Sequence, residues 1–324
     1  MKFITTILIF LFMCGMVHNA QASCGSATCP LNNHHYLKAG WIHVMLAHEY
    51  INQDRIYTGS SLSFVGALPN RHDEVQTINQ RSMLDVQYSI SDMMSFNVEL
   101  PFIHRSHSHI EDGATESFTF SGLGDIVVGA QYALLLPSED FDPYLSVQIG
   151  AKLPSGVTDA RNAGGEVAEV TIQPGTGSLD AIIALNYRQS LFSVPSVSGE
   201  FSVLPLTAGA SFQINGKGTN DYRLGNTLLA YIGTQYQVLD RVGLLLQVNG
   251  MFRDFADVGS TGELRQNTGG TWVFISPGVN LQLTDAISAF GYAQLPVYLN
   301  VHGIQQASRV NWQFGLSANV ALFE

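Results

Sequence analysis

The residues best suited to chemistry in this chain are histidines and carboxylates gathered in two short stretches. One is Arg71-His72-Asp73-Glu74; the other is His104-Arg105-Ser106-His107-Ser108-His109, followed by Glu111 and Asp112. Imidazole nitrogens beside carboxylate oxygens suit zinc, copper or nickel. Between the two stretches lie two runs of alternating apolar and polar residues, joined around Ser91-Asp92-Met93. Such alternation is the mark of a β-strand, whose successive side chains point to opposite faces. If Leu84, Val86, Tyr88 and Ile90 share a face with Phe96, Val98, Leu100 and Phe102, the register pairs Ile90 with Met94 and Thr77 with His107. It then places Asp73 opposite Glu111, with His109 near Val75. Asp73, His107, His109 and Glu111 are expected together on one face at the open end of this hairpin, with His72, Glu74 and His104 on the other. The cluster reads either as a divalent-metal site or as solvated loop polarity.

A second group is Cys24, Cys29, His34 and His35. It reads as a disulfide-closed tail between Cys24 and Cys29, or as a metal or redox site. The C-x4-C spacing is not a strong zinc signature. Residues 1–22 read as a secretory signal: Lys2 supplies the positive end, an apolar core follows, and Ala20-Gln21-Ala22 offers small residues for cleavage. Cleavage removes Cys14, leaving two cysteines in an exported chain, where a disulfide is permitted.

Other chemistries find no support. Ser106 and Ser108 alternate with histidines but point away from them on a strand, and no Gly-x-Ser-x-Gly elbow occurs. Gly122-x-Gly124 opens a strand rather than a helix, so it cannot cradle phosphate. The net charge is −11, and loss of the leader removes Lys2 and no acid. A chain this acidic, without basic clusters, does not suit nucleic acid. Neither an enzyme nor a nucleic-acid binder is expected.

The elements that position these residues are legible in the stretch 121–156. Ile126, Val128, Ala130, Tyr132 and Leu134 alternate with Asp125, Gly129 and Gln131. After a short acidic turn, Leu145, Val147, Ile149 and Ala151 alternate with Ser146, Gln148 and Lys152. The whole chain is 46% hydrophobic and only 13% charged, against about 25% charged in typical soluble proteins. No apolar run after the leader approaches the roughly 20 residues of a spanning helix. Membrane-like composition without membrane helices points to an all-β, transmembrane, antiparallel up-and-down barrel of about 12 strands.

The strands are expected near 36–50, 74–90, 94–106, 123–136, 142–153, 178–189, 192–212, 222–238, 242–254, 270–283, 287–299 and 308–323. Links after even-numbered strands are tight, such as Ser190-Leu191 and Leu239-Asp240-Arg241. Links after odd-numbered strands are mostly long, at 51–73, 107–122, 154–177, 213–221, 255–269 and 300–307. Short periplasmic turns and longer extracellular loops produce that sorting. The expected organisation is a signal at 1–22, a periplasmic Cys-containing segment at 23–35 and an outer-membrane barrel at 36–324. On inward parity lie Arg81, Asp85, Glu99, Asp125, Lys152, Asp180, Arg188, Glu200 and Arg253. Charges of both signs inside a barrel pair across strands or form a selective constriction. Asp85 beside Glu99 is repulsive unless Arg81 or Arg188 lies between them.

Gly122-Leu123-Gly124-Asp125, the Gly-x-x-Tyr run at Gly129 to Tyr132, and Leu153-Pro154-Ser155-Gly156 before a Gly-rich loop resemble a family of outer-membrane transporters. Its founding members are linked to the meta pathway of phenol degradation. The resemblance implies a channel for small, often aromatic or apolar compounds. The expected partners are such a solute, the lipid bilayer and lipopolysaccharide. The expected mechanism is passive diffusion through the lumen, with no cofactor. In the alternative reading the barrel is metal-related: Asp73, His107, His109 and the Cys24/Cys29 segment handle a divalent metal or couple to a periplasmic partner. In either reading the stretch 154–177 is long enough to fold into the lumen.

Overall fold

Alternation along 72–111 forces one oily and one polar face, and two such runs pair antiparallel so that the oily faces match. The same rule repeats around the molecule. The structure is a computed structural model and describes residues 38–322 apart from 68–71, 112, 140, 198 and 200. Its strands are β1 (Trp41–Thr58), β2 (Ser61–Leu62), β3 (His72–Ser89), β4 (Met94–Glu111), β5 (Ala114–Leu123), β6 (Val127–Leu135) and β7 (Tyr144–Lys152). They continue with β8 (Asp180–Pro195), β9 (Phe201–Ile214), β10 (Thr227–Leu239), β11 (Val242–Arg253), β12 (Gly270–Gln282), β13 (Ile287–Val301) and β14 (Ile304–Ala321). Twelve of them form a closed antiparallel barrel, sealed where β14 pairs with β1 from Trp41↔Ala321 to Thr58↔Ile304. β2 and β5 are the two additions. Closure satisfies the backbone polar groups of every wall strand without an edge facing lipid.

The faces are sorted for a bilayer. On β11, Leu244, Leu246 and Val248 are exposed outside while Gln247 and Asn249 are fully buried inside. On β14, Trp312, Phe314, Leu316 and Val320 face out and Asn311 and Gln313 face in. No helix among the described residues is long and apolar enough to cross a membrane; the outward apolar surface lies on the strands. The chain is an all-β closed barrel with an apolar outer face and a polar interior. Its interior is held by amide and phenol pairs across the wall: Gln131 to Tyr144 at 2.6 Å, Gln148 to Asn97 at 3.0 Å and Asn311 to Gln294 at 3.2 Å.

The apolar girdle on β4 runs from Phe96 to Phe102; above it the outer face turns polar. There His104 Nδ1 meets Ser121 Oγ at 2.8 Å, and Ser106 meets Thr119 at 3.2 Å. β4 therefore continues past the lipid. β5 pairs with this upper half (Phe102↔Leu123 to Glu111↔Ala114), and β6 pairs with the lower half (Met94↔Tyr132 to Glu99↔Val127). β5 and β6 share one lane of the wall, broken at Gly124-Asp125-Ile126.

Several expected boundaries shift. The stretch 107–122, expected as a loop, is largely the β4–β5 hairpin. β1 runs to Thr58 rather than 50. Ser190-Leu191 is not a turn: a bulge between Ser190 and Phe192 breaks the alternation there, and the strand continues to Pro195. The link at 300–307 is no long loop either, because β13 and β14 extend until only His302 and Gly303 separate them. Gly303 takes φ 53, a left-handed conformation that glycine adopts without penalty. The leader, Cys24, Cys29, His34, His35, Asp112 and Glu200 lie outside the described residues.

Candidate functional site

After β7 the chain turns into the barrel instead of leaving it. The segment 153–177 packs against the inner face of the upper wall, where Phe118 and Phe120 of β5 bury Ala168 and Ile172. Its base is tied at the break between β5 and β6. Lys152 Nζ lies 2.7 Å from Asp180 Oδ2 and 3.2 Å from Asp125 Oδ2, and it also donates to Thr176 and Ser178. Asp125 accepts the backbone N–H of Gly156 at 2.9 Å and of Thr176 at 2.8 Å. Asp180 accepts from the Gly216 N–H at 2.9 Å and from Gln213 at 2.9 Å. The two carboxylates share one ammonium, and backbone N–H groups together with the Gln213 amide and the Thr176 and Ser178 hydroxyls donate to their other acceptor sites, as buried charges require.

The glycines of the same motif permit the knot. A Cβ on Gly156 would stand 2.6 Å from the Cα of Gly175 and 2.8 Å from the carbonyl carbon of Gly124. Three backbone strands meet there with no room for a side chain. Higher up, Arg105 on β4 fixes the segment: Nη1 donates to the carbonyl oxygens of Ile172 and Gln173, while Nε donates to Asn79. Arg105 is almost wholly buried.

Wall and segment enclose a cavity of about 410 Å³. Ile182, Ala184, Leu229, Tyr231, Val170 and Pro174 give it apolar lining. Arg81, Asp85, Glu99, Arg105 and Arg253 supply charge. Tyr222 and Leu224, from the stretch between β9 and β10, also line it. Burial, with Glu263 nearby, pushes the Tyr222 phenol well above its ordinary pKa, so it stays a neutral phenol. A volume near 400 Å³ with apolar walls and a few placed polar groups is the usual form of a small-molecule site.

Most of the expected lumen charges meet at the cavity, and two of the anchor residues, Asp125 and Lys152, also line it. Asp125, Lys152 and Asp180 form the anchor. Arg81, Asp85 and Glu99 line the cavity. Asp85 and Glu99 are register partners as expected, and Arg81 also pairs with Glu49, Nε to Oε2 at 3.2 Å. Arg188 sits apart: it pairs with Tyr144 near the periplasmic end, is exposed, and does not line the cavity. Arg105 is the residue the sequence reading passed over. Its odd-numbered parity with His107 and His109 is the signal that places it inside.

At the outer end the expected hairpin register holds at Thr77↔His107 and then changes. A bulge at Val75 moves Glu74 opposite His109 and Asp73 opposite Ile110. Asp73 therefore leaves the histidine face and Glu74 joins it. His107 and His109 are both buried, with His107 Nε2 3.1 Å from His109 Nδ1. Around them stand Glu74 Oε2, 3.6 Å from His107 Nε2, and Glu116 and Glu111, 3.6 and 3.9 Å from His109 Nε2. Glu169 of the inserted segment completes a group with Glu74 and His107 whose donor atoms lie within 4.8 Å of one another. Glu116 and Glu169 have no alternating pattern near the histidines in sequence; only the fold brings them there.

The family model described as "Putative MetA-pathway of phenol degradation" matches residues 88–314. No curated protein sequence matches the chain. Among solved structures, an outer membrane channel from Pseudomonas putida F1 is similar with a TM-score of 0.63 and 14% identity, over 88% of this chain and 97% of that one. A FadL homologue from Pseudomonas aeruginosa aligns with a TM-score of 0.40 and 11% identity, over 88% and 91% of the two chains.

Proposed function

This chain belongs to the MetA-pathway phenol-degradation family, and on that premise we propose that it passes a small aromatic or apolar solute across the outer membrane by passive diffusion through its lumen. The observation that carries this reading is the cavity between wall and inserted segment. Its apolar lining takes a ring or short chain, and Arg81, Arg105 and Arg253 offer donors to a hydroxyl or carboxylate at the ring edge. Mixed charge on the wall sets selectivity without requiring tight binding, which a conduit must avoid. The inserted segment narrows the path from above, so permeation is expected to be slow and size-limited.

The proposal is tested by swelling of liposomes that carry the purified barrel, with a panel of aromatic acids, other organic acids, sugars and metal salts as osmolytes. Aromatic acids are expected to enter faster than sugars of similar mass. Equal rates for both, or rates no higher than in empty liposomes, would refute the assignment.

A further inference from the structure

We propose that the outer mouth holds a divalent transition-metal cation of the zinc class, bound by Glu74, His107 and Glu169, and that this cation clamps the inserted segment to the barrel wall. The site lies above the apolar girdle, where β4 is flanked by polar residues on its outer face. Its three ligands come from three places: Glu74 from β3, His107 from β4 and Glu169 from the segment 153–177.

The proton count around His107 leaves Nε2 as the unprotonated nitrogen, the form that ligates a metal. Thr77 Oγ1 donates its only hydrogen to Gln306 Oε1 at 2.6 Å. At 2.9 Å from His107 Nδ1, the same oxygen must therefore accept, which places the ring proton on Nδ1. Nε2 then carries the lone pair; it accepts from His109 Nδ1 at 3.1 Å and also faces Glu74 and Glu169, so a bound cation takes the place of that histidine–histidine hydrogen bond. Metal-binding histidines show this arrangement, with the distal N–H held by a neighbour and the other nitrogen presented to the ion. Zinc about 2.0–2.1 Å from each donor needs donors roughly 3.3 Å apart. The 3.6 Å between His107 Nε2 and Glu74 Oε2 is close to that separation. Two carboxylates and a neutral imidazole also balance a doubly charged cation.

The bulge at Val75 is what turns Glu74 inward, and the insertion of 153–177 is what delivers Glu169. The metal thus bridges wall and segment at a point well separated from the Lys152 anchor. The second cluster, His109 with Glu111 and Glu116, lies on the β4–β5 hairpin alone and cannot clamp the segment.

The test is isothermal titration of the full-length barrel in detergent with Zn²⁺, independent of any permeation assay. Wild type is expected to bind tighter than 100 μM. His107→Ala and Glu169→Gln are each expected to weaken binding at least tenfold. His104→Ala, on the outer face against Ser121, is expected to leave it unchanged. Retention of the folded-barrel mobility of unheated samples on gels checks each variant. Wild-type affinity no tighter than millimolar, or an unchanged affinity in His107→Ala, overturns the site. An unchanged affinity in folded Glu169→Gln overturns the clamp.

Discussion

Lys152 illustrates what single residues do here. It stands buried between Asp125 and Asp180, so replacing it leaves two buried carboxylates without a counter-charge. Breaking such a cluster from one side costs about 3–5 kcal/mol. Lys152→Met is therefore expected to lower the unfolding midpoint of the barrel in urea by a corresponding amount. Lys152→Arg, which keeps the charge, is expected to lose less. Inward parity was readable at all three positions from period-two alternation, but their meeting was not. Alternation fixes a face, whereas the meeting depends on the break at Gly124-Asp125-Ile126 and on the return of the chain at Thr176. The histidine cluster shows the same limit. Thr77 opposite His107 followed from matching oily faces, but one extra residue at Val75 exchanged Asp73 for Glu74. Bulges insert a single residue and reverse every parity beyond it.

The inserted segment is the element on which function turns. Its anchor at Lys152 and its strap at Arg105 hold it across the upper lumen, and its base depends on glycines packed backbone to backbone. Gly156→Val would force a side chain into the Cα of Gly175 and is expected to destabilise the folded barrel by about 1–3 kcal/mol, measured as urea sensitivity. Replacing 158–173 with a short Gly-Ser link, which spares Gly156 and Thr176, is expected to raise single-channel conductance in planar bilayers several-fold. Unchanged conductance would mean that the segment does not restrict the path. The length of 154–177 allowed an inward fold to be anticipated. The contacts that hold it there, from Arg105 to backbone carbonyls and from Phe118 to Ile172, join residues far apart in sequence and left no periodic trace.

At the scale of the whole molecule, the outer face sorts lipid from water by height. Phe96 to Phe102 form the girdle on β4, and the polar extension begins at His104. An arginine facing lipid near mid-membrane costs about 2–4 kcal/mol and little at the interface. Val98→Arg is accordingly expected to destabilise the barrel in phospholipid vesicles by that amount, and Ser108→Arg to change stability by less than about 0.5 kcal/mol. Fold class, closure and the inside–outside sorting were legible because they rest on local alternation and composition. The protruding β4–β5 hairpin and the two-residue turn at His302-Gly303 were not. Polar strands above the membrane look like loops to any reading based on apolar runs.

The central claim is that solute passes through the cavity between wall and segment. Ala184 points into that cavity from β8 and is small enough to leave it open. The most direct test compares swelling rates of liposomes carrying wild type or Ala184→Trp in an aromatic acid, with equal amounts of folded barrel in each. The account predicts entry well above empty liposomes for wild type and a fall of at least fivefold when the indole fills the space. Equal rates in wild type and Ala184→Trp would contradict it.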